Sequence, residues 1–384
     1  MTRTSFARGP GPRLRALRRW AVVLGVLAWA IGSTTLARAQ DGRTGDRDAF
    51  APNGYLSLDD YERPRGAWLD WPLVYLRRPD HADLAYGDDP RQRLDVWAAE
   101  TPPGHDGPRP VVVHFHHGGF AWGDKTMIPG FMVERFNQLG ITVVSANYRF
   151  LLRHDWPAPL EDGVRVVQWI RHHARELGID PDRVGVLGTS AGAIMSLWIG
   201  LHDDFADPDA EDPVRRESSR VSVVGSFEGQ PTFDLEVYNR INGRPLFTDI
   251  GFIARAIGLP EVAEDAAARE RLLSYYSPES HVDANDPPVL LFYVLAELPY
   301  ARATGIFWTI HHPDLSDRLV ERLHEAGVPW MRQVLGRPRE SAEGFDDRGE
   351  VFEIFARELG VGLTPAEDRP PRRPDHAGEA EADG

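Results

Sequence analysis

A serine set among small residues is the first candidate for chemistry in this chain. The segment Gly188-Thr189-Ser190-Ala191-Gly192 follows the apolar run Val184 to Leu187 and opens the helix-like stretch Ala193 to Trp198. A sharp strand-to-helix turn tolerates little side chain beside it, and it lifts a serine hydroxyl to the positive end of a helix. The sequence therefore predicts Ser190 as a nucleophile, with Gly188 and Gly192 meeting the steric demand. The alternative is a packing turn whose serine only caps the helix.

A glycine pair upstream could supply the second part of such a site. The apolar run Val111 to His116 leads directly into His117-Gly118-Gly119-Phe120. Serine acyl transfer turns a carbonyl oxygen into an oxyanion, and preorganised backbone N–H groups stabilise it by several kcal/mol. We predict an oxyanion hole from the amides of Gly118, Gly119 and Ala191. His117 is expected to hold the loop by hydrogen bonds rather than to react.

His114 and His116 alternate along a strand that should be buried on both faces, so we predict that both are core residues with satisfied hydrogen bonds. A metal-dependent hydrolase using His114, His116 and His117 is the alternative. No Asp or Glu ligand lies nearby in the sequence, and no metal is predicted.

The elements around these residues alternate between short apolar runs and helical patterns, which favours a mostly parallel sheet with helices on both faces. The helical patterns cover Leu160 to Leu177, Leu315 to Ala326 and Gly349 to Leu359. Residues 231–280 interrupt the alternation and are predicted to form a small cap. The predicted strands are Val111 to His116, Ile141 to Asn147, Val184 to Leu187, Val221 to Phe227 and Val289 to Val294.

Composition narrows the function further. The chain has 384 residues, a formal charge of -15 and no cysteine. One large core is expected at this length. An acidic chain without a basic stripe does not suit nucleic acid, and the absence of cysteine excludes disulfides and thiolate catalysis.

The two ends of the chain differ from its body. Arginines up to Arg19 precede the apolar run Trp20 to Ile31 and the small-residue site Ala37-Arg38-Ala39, which predicts a signal peptide over residues 1–39. The apolar run is shorter than the ~20 residues of a membrane span, so we expect no stable membrane association after cleavage. An uncleaved anchor is the alternative. Residues 40–54 and 363–384 are predicted to be a disordered linker and a disordered acidic tail around a domain at 55–362.

The motifs together resemble the α/β-hydrolases, in particular bacterial carboxylesterases of hormone-sensitive-lipase type and feruloyl- and acetylxylan-esterase-like hydrolases. The resemblance implies an α/β-hydrolase fold and cleavage of a carboxylic ester, less often an amide, without a cofactor. It is carried by Gln92 to Val96, His117 to Phe120, Ala146 to Arg149, Pro159 to Asp162, Gly178 to Arg183 and Gly188 to Gly192.

The resemblance also implies where the other catalytic groups should stand. The acid position after the strand Val289 to Val294 holds Glu297, which can orient an imidazole. The turn before the last helix, where a histidine is expected, holds Glu343, and a carboxylate is a weak base for a serine. His311 and His312 are the candidate replacements, because their loop starts at the sheet edge where Ser190 lies. A pair that only caps the helix near Asp314 is the alternative, as is Glu343 acting with a raised pKa.

The sequence thus predicts an exported serine hydrolase, periplasmic or extracellular, that acts on a small-molecule ester. A different class of function is a catalytically impaired α/β-hydrolase that binds a ligand. An imidazole within hydrogen-bond reach of Ser190 distinguishes the two. Substrate identity and oligomeric state are not readable from the sequence.

Overall fold

The structure is a computed structural model that describes residues 78–99, 107–151, 153–243, 265–294 and 306–362. The predicted signal peptide, linker and acidic tail lie outside the described residues, and so does Glu297. Export and the disordered ends stay predictions. Within the described ranges, no helix has the length and apolar character needed to cross a membrane.

A nine-stranded sheet organises the described part of the chain, in the order β1-β2-β4-β3-β5-β6-β7-β8-β9. The strands from β4 through β3, β5, β6 and β7 to β8 pair in parallel, and β1, β2 and β9 join the two edges in antiparallel fashion. The strands are β1 His81–Ala85, β2 Arg93–Trp97, β3 Arg109–Phe115, β4 Thr142–Ala146, β5 Ile179–Thr189, β6 Val223–Phe227, β7 Val289–Tyr293, β8 Trp330–Val334 and β9 Glu340–Ser341.

Helices connect the parallel strands. They are α1 Gly130–Gln138, α2 Ala158–His172, α3 Ala174–Leu177, α4 Ala191–Leu201, α5 Leu235–Asn242, α6 Ala266–Tyr276, α7 Ile306–Ile310, α8 Asp317–Ala326 and α9 Val351–Glu358. Short 3-10 turns cover Lys125–Met127, Pro213–Arg216, Pro278–His281 and Pro313–Ser316. The mostly parallel sheet with helices and the α/β-hydrolase fold are therefore confirmed.

The period-two pattern of the central strands explains the two helical layers. In β3, Val111 and Val113 join a core with α2, α4 and α8, whereas Val112 joins a separate core with α1 and α9. Because successive strand side chains point to opposite faces, a run of valines serves both cores at once. Central strands of this kind are consequently apolar at nearly every position.

Two predicted helices differ from the observed ones at their ends. The stretch predicted as one helix to Leu177 divides at His173, which separates α2 from α3, and Gly178 ends α3 with φ +65°. The helix predicted from Leu315 begins instead as the 3-10 turn Pro313–Ser316, with α8 starting at Asp317. A proline suits the first position of such a turn, because no N–H is needed there and its φ is already set for a helical turn.

The region predicted as a cap is described in part, as α5 and α6. The first helix packs its Val237 and Tyr238 with Leu315, and Ile310 lies against this cluster. The second helix contributes the Tyr275 carbonyl, which accepts a hydrogen bond from the indole of Trp198 at 3.2 Å. The described parts of this region thus contact α4 and the segment that follows α7.

A buried carboxylate ties the motif residues of two segments together. Asp162 has no exposed side-chain surface and accepts hydrogen bonds at 2.7 Å from both the Gln92 amide group and the Arg149 backbone N–H. The Arg149 guanidinium lies 2.7 Å from the same carboxylate. Its neighbour Glu161 approaches Arg149 at 3.6 Å, with 61% of its side chain exposed.

We expect Asp162→Ala to lower the free energy of unfolding by ~3–5 kcal/mol, because it leaves buried donors and a cation without their acceptor. The matched change Glu161→Ala should cost at most about 1 kcal/mol, since solvent screens an exposed pair. Urea denaturation of both variants measures the difference. Equal, small losses would show that the Asp162 network does not stabilise the fold.

Candidate active site

Ser190 stands at a strained turn between β5 and α4. Its backbone has φ +52° and ψ -114°, a region that residues with a side chain rarely occupy. The Ser190 N–H donates to the Phe227 carbonyl at 2.9 Å, which anchors the turn to β6. The Ser190 side chain makes no capping bond to α4. The interpretation of Ser190 as a helix cap is therefore not what the structure shows.

The flanking glycines are required by close backbone contacts. A Cβ at Gly188 would lie 2.3 Å from the Gly192 backbone, and a Cβ at Gly192 would lie 2.0 Å from the Phe115 carbonyl oxygen. Real Cβ atoms do not approach other atoms so closely. The spacing Gly-x-Ser-x-Gly is thus imposed by the packing of α4 against the end of β3.

The glycine loop after β3 reaches the same sheet edge. Gly118 and Gly119 have φ +131° and +59°, and a Cβ at Gly118 would collide with the Trp122 carbonyl at 1.9 Å. Within the described ranges, the N–H groups of Gly118, Gly119 and Ala191 donate to no protein acceptor. These three amides are available for an oxygen of a substrate.

Residues before β2 and after β4 hold this loop in place. The Tyr148 hydroxyl donates to the His116 carbonyl at 2.8 Å, and the Arg91 guanidinium donates to the Gly123 carbonyl at 3.0 Å. Arg91 also lies over the Phe150 ring, 3.7 Å from its centroid. The loop is therefore fixed at both ends rather than left to solvent.

The imidazole of His311 meets the serine hydroxyl. His311 Nε2 lies 3.1 Å from Ser190 Oγ, and the residue is 4% exposed. His311 follows α7 directly in the sequence, so the described end of this short helix delivers the ring to the carboxyl edge of the sheet. An imidazole at this distance can accept the hydroxyl proton.

The neighbouring His312 caps a turn. Its Nδ1 accepts a hydrogen bond from the Asp314 N–H at 3.3 Å, which caps the 3-10 turn Pro313–Ser316. The same ring packs against Trp308, with centroids 4.5 Å apart. The structure brings His311, but not His312, to Ser190, and the capping alternative describes His312.

The candidate acids also differ in where the structure places them. Glu343 is exposed in the turn after β9, whereas the Ser190 hydroxyl lies within hydrogen-bond distance of His311. The predicted acid Glu297 lies outside the described residues. Glu228 is a buried carboxylate that sequence analysis missed. Its side chain accepts the Val294 N–H just after β7, and its backbone has φ +59° directly after β6. The only signal in the sequence is an acid placed directly behind an apolar strand.

The three histidines around β3 are kept neutral by burial. His114 contacts the Ser145 hydroxyl at 3.0 Å, and burial lowers the pKa of His114 to about 3. The ring of His116 bonds the His117 carbonyl through Nδ1 at 2.7 Å, and burial holds its pKa well below the usual value. The pKa of His117 falls to about 4, first through burial and then through the charge of His311.

The metal alternative needs these three histidines to face a common point. In the described part of the chain, no group of three His, Asp or Glu side chains has an arrangement that could hold a metal ion. His114 and His116 instead bond a serine hydroxyl and a backbone carbonyl. His117 packs edge-on against Trp122 with centroids 5.1 Å apart, beside the glycine loop.

Comparison with known proteins finds esterases. The family model described as BD-FAE matches residues 94–296, more than half of the chain. The curated relatives include Esterase LipC of Mycobacterium tuberculosis, 27% identical over 68% of this chain and 63% of LipC. The probable carboxylic ester hydrolase LipM of the same organism is 28% identical over 69% of this chain and 62% of LipM. The chain thus spans less than two thirds of the length of these relatives.

A solved structure supports the fold alone. The bifunctional GH43-CE protein of Bacteroides eggerthii superposes with a TM-score of 0.52 at 20% identity, over 72% of this chain and 38% of that one.

The glycine packing at the turn yields a prediction. Gly192→Ala should lower the free energy of unfolding by ~1–3 kcal/mol, because its methyl group must push α4 away from β3. Gly107→Ala is the matched control, since a Cβ there meets nothing within 4 Å, and it should change stability by no more than ~0.5 kcal/mol. Thermal melting of both variants measures this. A Gly192→Ala protein with the stability of the control would contradict the packing described.

Proposed function

We propose that this chain, which belongs to the BD-FAE family, is a serine hydrolase that cleaves a carboxylic ester. The observation that carries the proposal is the contact of 3.1 Å between Ser190 Oγ and His311 Nε2. A serine hydroxyl is a weak nucleophile until a neighbour accepts its proton, and a neutral imidazole is suited to that task near neutral pH. The esterase names of the curated relatives support the same reaction class.

The first half of the reaction transfers the acyl group to the enzyme. Ser190 Oγ forms a bond to the carbonyl carbon of the ester while His311 Nε2 takes the hydroxyl proton. The carbonyl oxygen becomes an oxyanion, which the amides of Gly118, Gly119 and Ala191 can stabilise by hydrogen bonds. When the intermediate collapses, the bond to the alcohol oxygen breaks and His311 returns the proton to the departing alcohol.

The second half regenerates the serine. A water molecule attacks the acyl carbon, and His311 takes one of its protons. The carboxylic acid leaves as the bond to Ser190 Oγ breaks, and His311 gives the proton back to the serine. Every proton moves through the one imidazole, so no cofactor is needed to balance the reaction.

The acid is proposed to be Glu297. It stands three residues after Val294, whose N–H donates to Glu228 just beyond β7. In the sheet, β7 lies two strands from β5, the strand that leads to Ser190. A carboxylate bonded to His311 would fix the tautomer that leaves Nε2 free to accept a proton. Glu228 is proposed to hold the backbone after β7 through the Val294 N–H.

The roles of the paired histidines can be separated by substitution. Ser190→Ala and His311→Ala should each lower kcat on a short acyl ester by about 10³-fold or more, because members of one catalytic unit fail together. His312→Ala should keep kcat within about threefold, since that ring caps a turn. Glu343→Ala should behave like His312→Ala. Initial rates with a chromogenic acetate ester measure all four.

Labelling by a fluorescent phosphonate provides the check on the nucleophile. The parent protein should be labelled and Ser190→Ala should not. A parent protein that is neither labelled nor active would indicate a ligand-binding α/β-hydrolase. A loss of activity in His312→Ala equal to that in His311→Ala would contradict the assignment of the base.

The two acids are tested by isosteric amides. Glu297→Gln should lower kcat by about 10²–10⁴-fold, because an amide cannot stabilise the imidazolium. Glu228→Gln keeps a carbonyl oxygen for the Val294 N–H, so it should keep kcat within about tenfold. The reverse order of effects would assign the acid to Glu228.

A further inference from the structure

The backbone before the proposed base His311 is held by a side chain that takes no part in the proposed reaction. The Gln230 side chain is 6% exposed, and its Nε2 donates to the Glu228 carbonyl at 2.8 Å. The same nitrogen donates to the Ile310 carbonyl, 80 residues further along the chain. That carbonyl belongs to the peptide group that joins Ile310 to His311. Gln230 therefore binds, through a hydrogen bond, the peptide group immediately before His311.

The chemistry of an amide fits this position. An NH₂ group has two N–H donors, one for each carbonyl, whereas both partners can only accept. The orientation of the amide follows from its partners, because an oxygen turned towards two carbonyl oxygens would be repelled. A buried residue of similar size without donors would leave two carbonyl groups unsatisfied.

Gln230 also links the base to the nucleophile. The Phe227 carbonyl at the end of β6 accepts the Ser190 N–H at 2.9 Å, and Glu228 is the next residue. One short segment, residues 227–230, thus holds the backbone of Ser190 on one side and the backbone before His311 on the other. The distance between Ser190 Oγ and His311 Nε2 depends on this segment.

Resting on the function proposed above, the geometry points to Gln230 as the positioning residue of the catalytic histidine. The apolar contacts of Ile310 with the Val237, Tyr238 and Leu315 cluster keep the segment close to α5. The Thr309 hydroxyl donates to the Asn242 side chain of α5 at 3.0 Å. Such contacts fix where the segment lies, and the Gln230 amide fixes how the peptide before His311 is turned.

The expected effect of Gln230→Met is a 10- to 100-fold lower kcat with KM changed less than threefold. A displacement of a catalytic group by about 1 Å can cost ~10²-fold in rate, and Gln230 is proposed to act through that group alone. Gln230→Asn is the second variant. Its shorter side chain keeps an amide near the Glu228 carbonyl but cannot also reach the Ile310 carbonyl. This variant should therefore lose kcat to a similar degree. It should also fold more readily than Gln230→Met.

Gln168→Met is the matched control. Gln168 is also buried, at 3% exposure, and its Nε2 also donates to backbone carbonyls, those of Phe205, Arg215 and Glu217. It lies on α2 and holds a loop that includes none of the proposed catalytic groups. Gln168→Met should lower the melting temperature at least as much as Gln230→Met and keep kcat within about twofold.

A double-mutant cycle with His311→Ala decides the proposal, with phosphonate labelling of Ser190 as the measured rate. In the parent background, Gln230→Met should slow labelling by 10- to 100-fold. With His311→Ala, the same change should slow the residual labelling by less than twofold, because there is no imidazole left to position. Equal slowing in both backgrounds, or no slowing in the parent background, would overturn the positioning role of Gln230. Absence of labelling in the parent protein, or an unchanged rate in His311→Ala alone, would instead overturn the proposed function.

Discussion

The strained backbone of Ser190 is the constraint on which the site depends. A residue with a side chain at φ +52° and ψ -114° costs about 1–3 kcal/mol, and it persists only where its surroundings enforce it. Here the hydrogen bond from Ser190 N–H to Phe227 and the bond from Ile194 N–H to the Ser190 carbonyl enforce it from both sides. The close packing of Gly188 on Gly192 leaves no room for relaxation. Because the turn is fixed, the hydroxyl is turned away from the helix cap and towards His311.

The electrostatic surroundings suit an imidazole that becomes charged and neutral again. In the proposed reaction His311 gains a proton as Ser190 attacks. A second charged imidazole nearby would oppose that step. His117, which is coupled electrically to His311, has a pKa of about 4 because it is buried, so it stays neutral at neutral pH. Burial of His117 therefore removes a charge that would oppose the proposed base.

Different parts of the molecule were readable from the sequence to different degrees. Five of the six parallel strands among the described residues, β3 to β7, were predicted, because strands buried on both faces are apolar at nearly every position, as Val111 to Val113 show. The sixth, β8, was not predicted, since Arg332 and Gln333 interrupt its apolar run. The strand-turn-helix context of Ser190 was readable for a similar reason, since local sterics dictate glycine on both sides. The ends of the helices were predicted less well. The division at His173 and the 3-10 turn at Pro313 depend on local geometry that hydrophobic periodicity does not encode.

The choice between His311 and His312 lay beyond any local pattern. Both residues stand in one loop, and one tertiary contact separates them. The His311 ring lies beside Ser190 Oγ, whereas the His312 ring accepts the N–H of Asp314, two residues along the chain. Gln230 was invisible for the same reason, because its two carbonyl partners lie 2 and 80 residues away along the chain. The sequence predicted a base from the loop that contains His311 and His312, with Glu343 as an alternative. The fold determines that the His311 ring lies beside Ser190.

The position of the proposed base His311 fits the topology of the sheet. Parallel strands end at one common edge, so a loop after any of them can reach the serine, and a histidine need not come from the turn before the last helix. That turn has a structural part in this chain: the Arg357 guanidinium of α9 donates to the Arg348 carbonyl at 2.9 Å, and Arg348 pairs with Asp346 at 2.7 Å. The segment before α9 thus bonds to α9, while the imidazole near Ser190 comes from the segment after α7. The proposed base His311 directly follows α7, and the side chain of Gln230, three residues after β6, holds the peptide group before it.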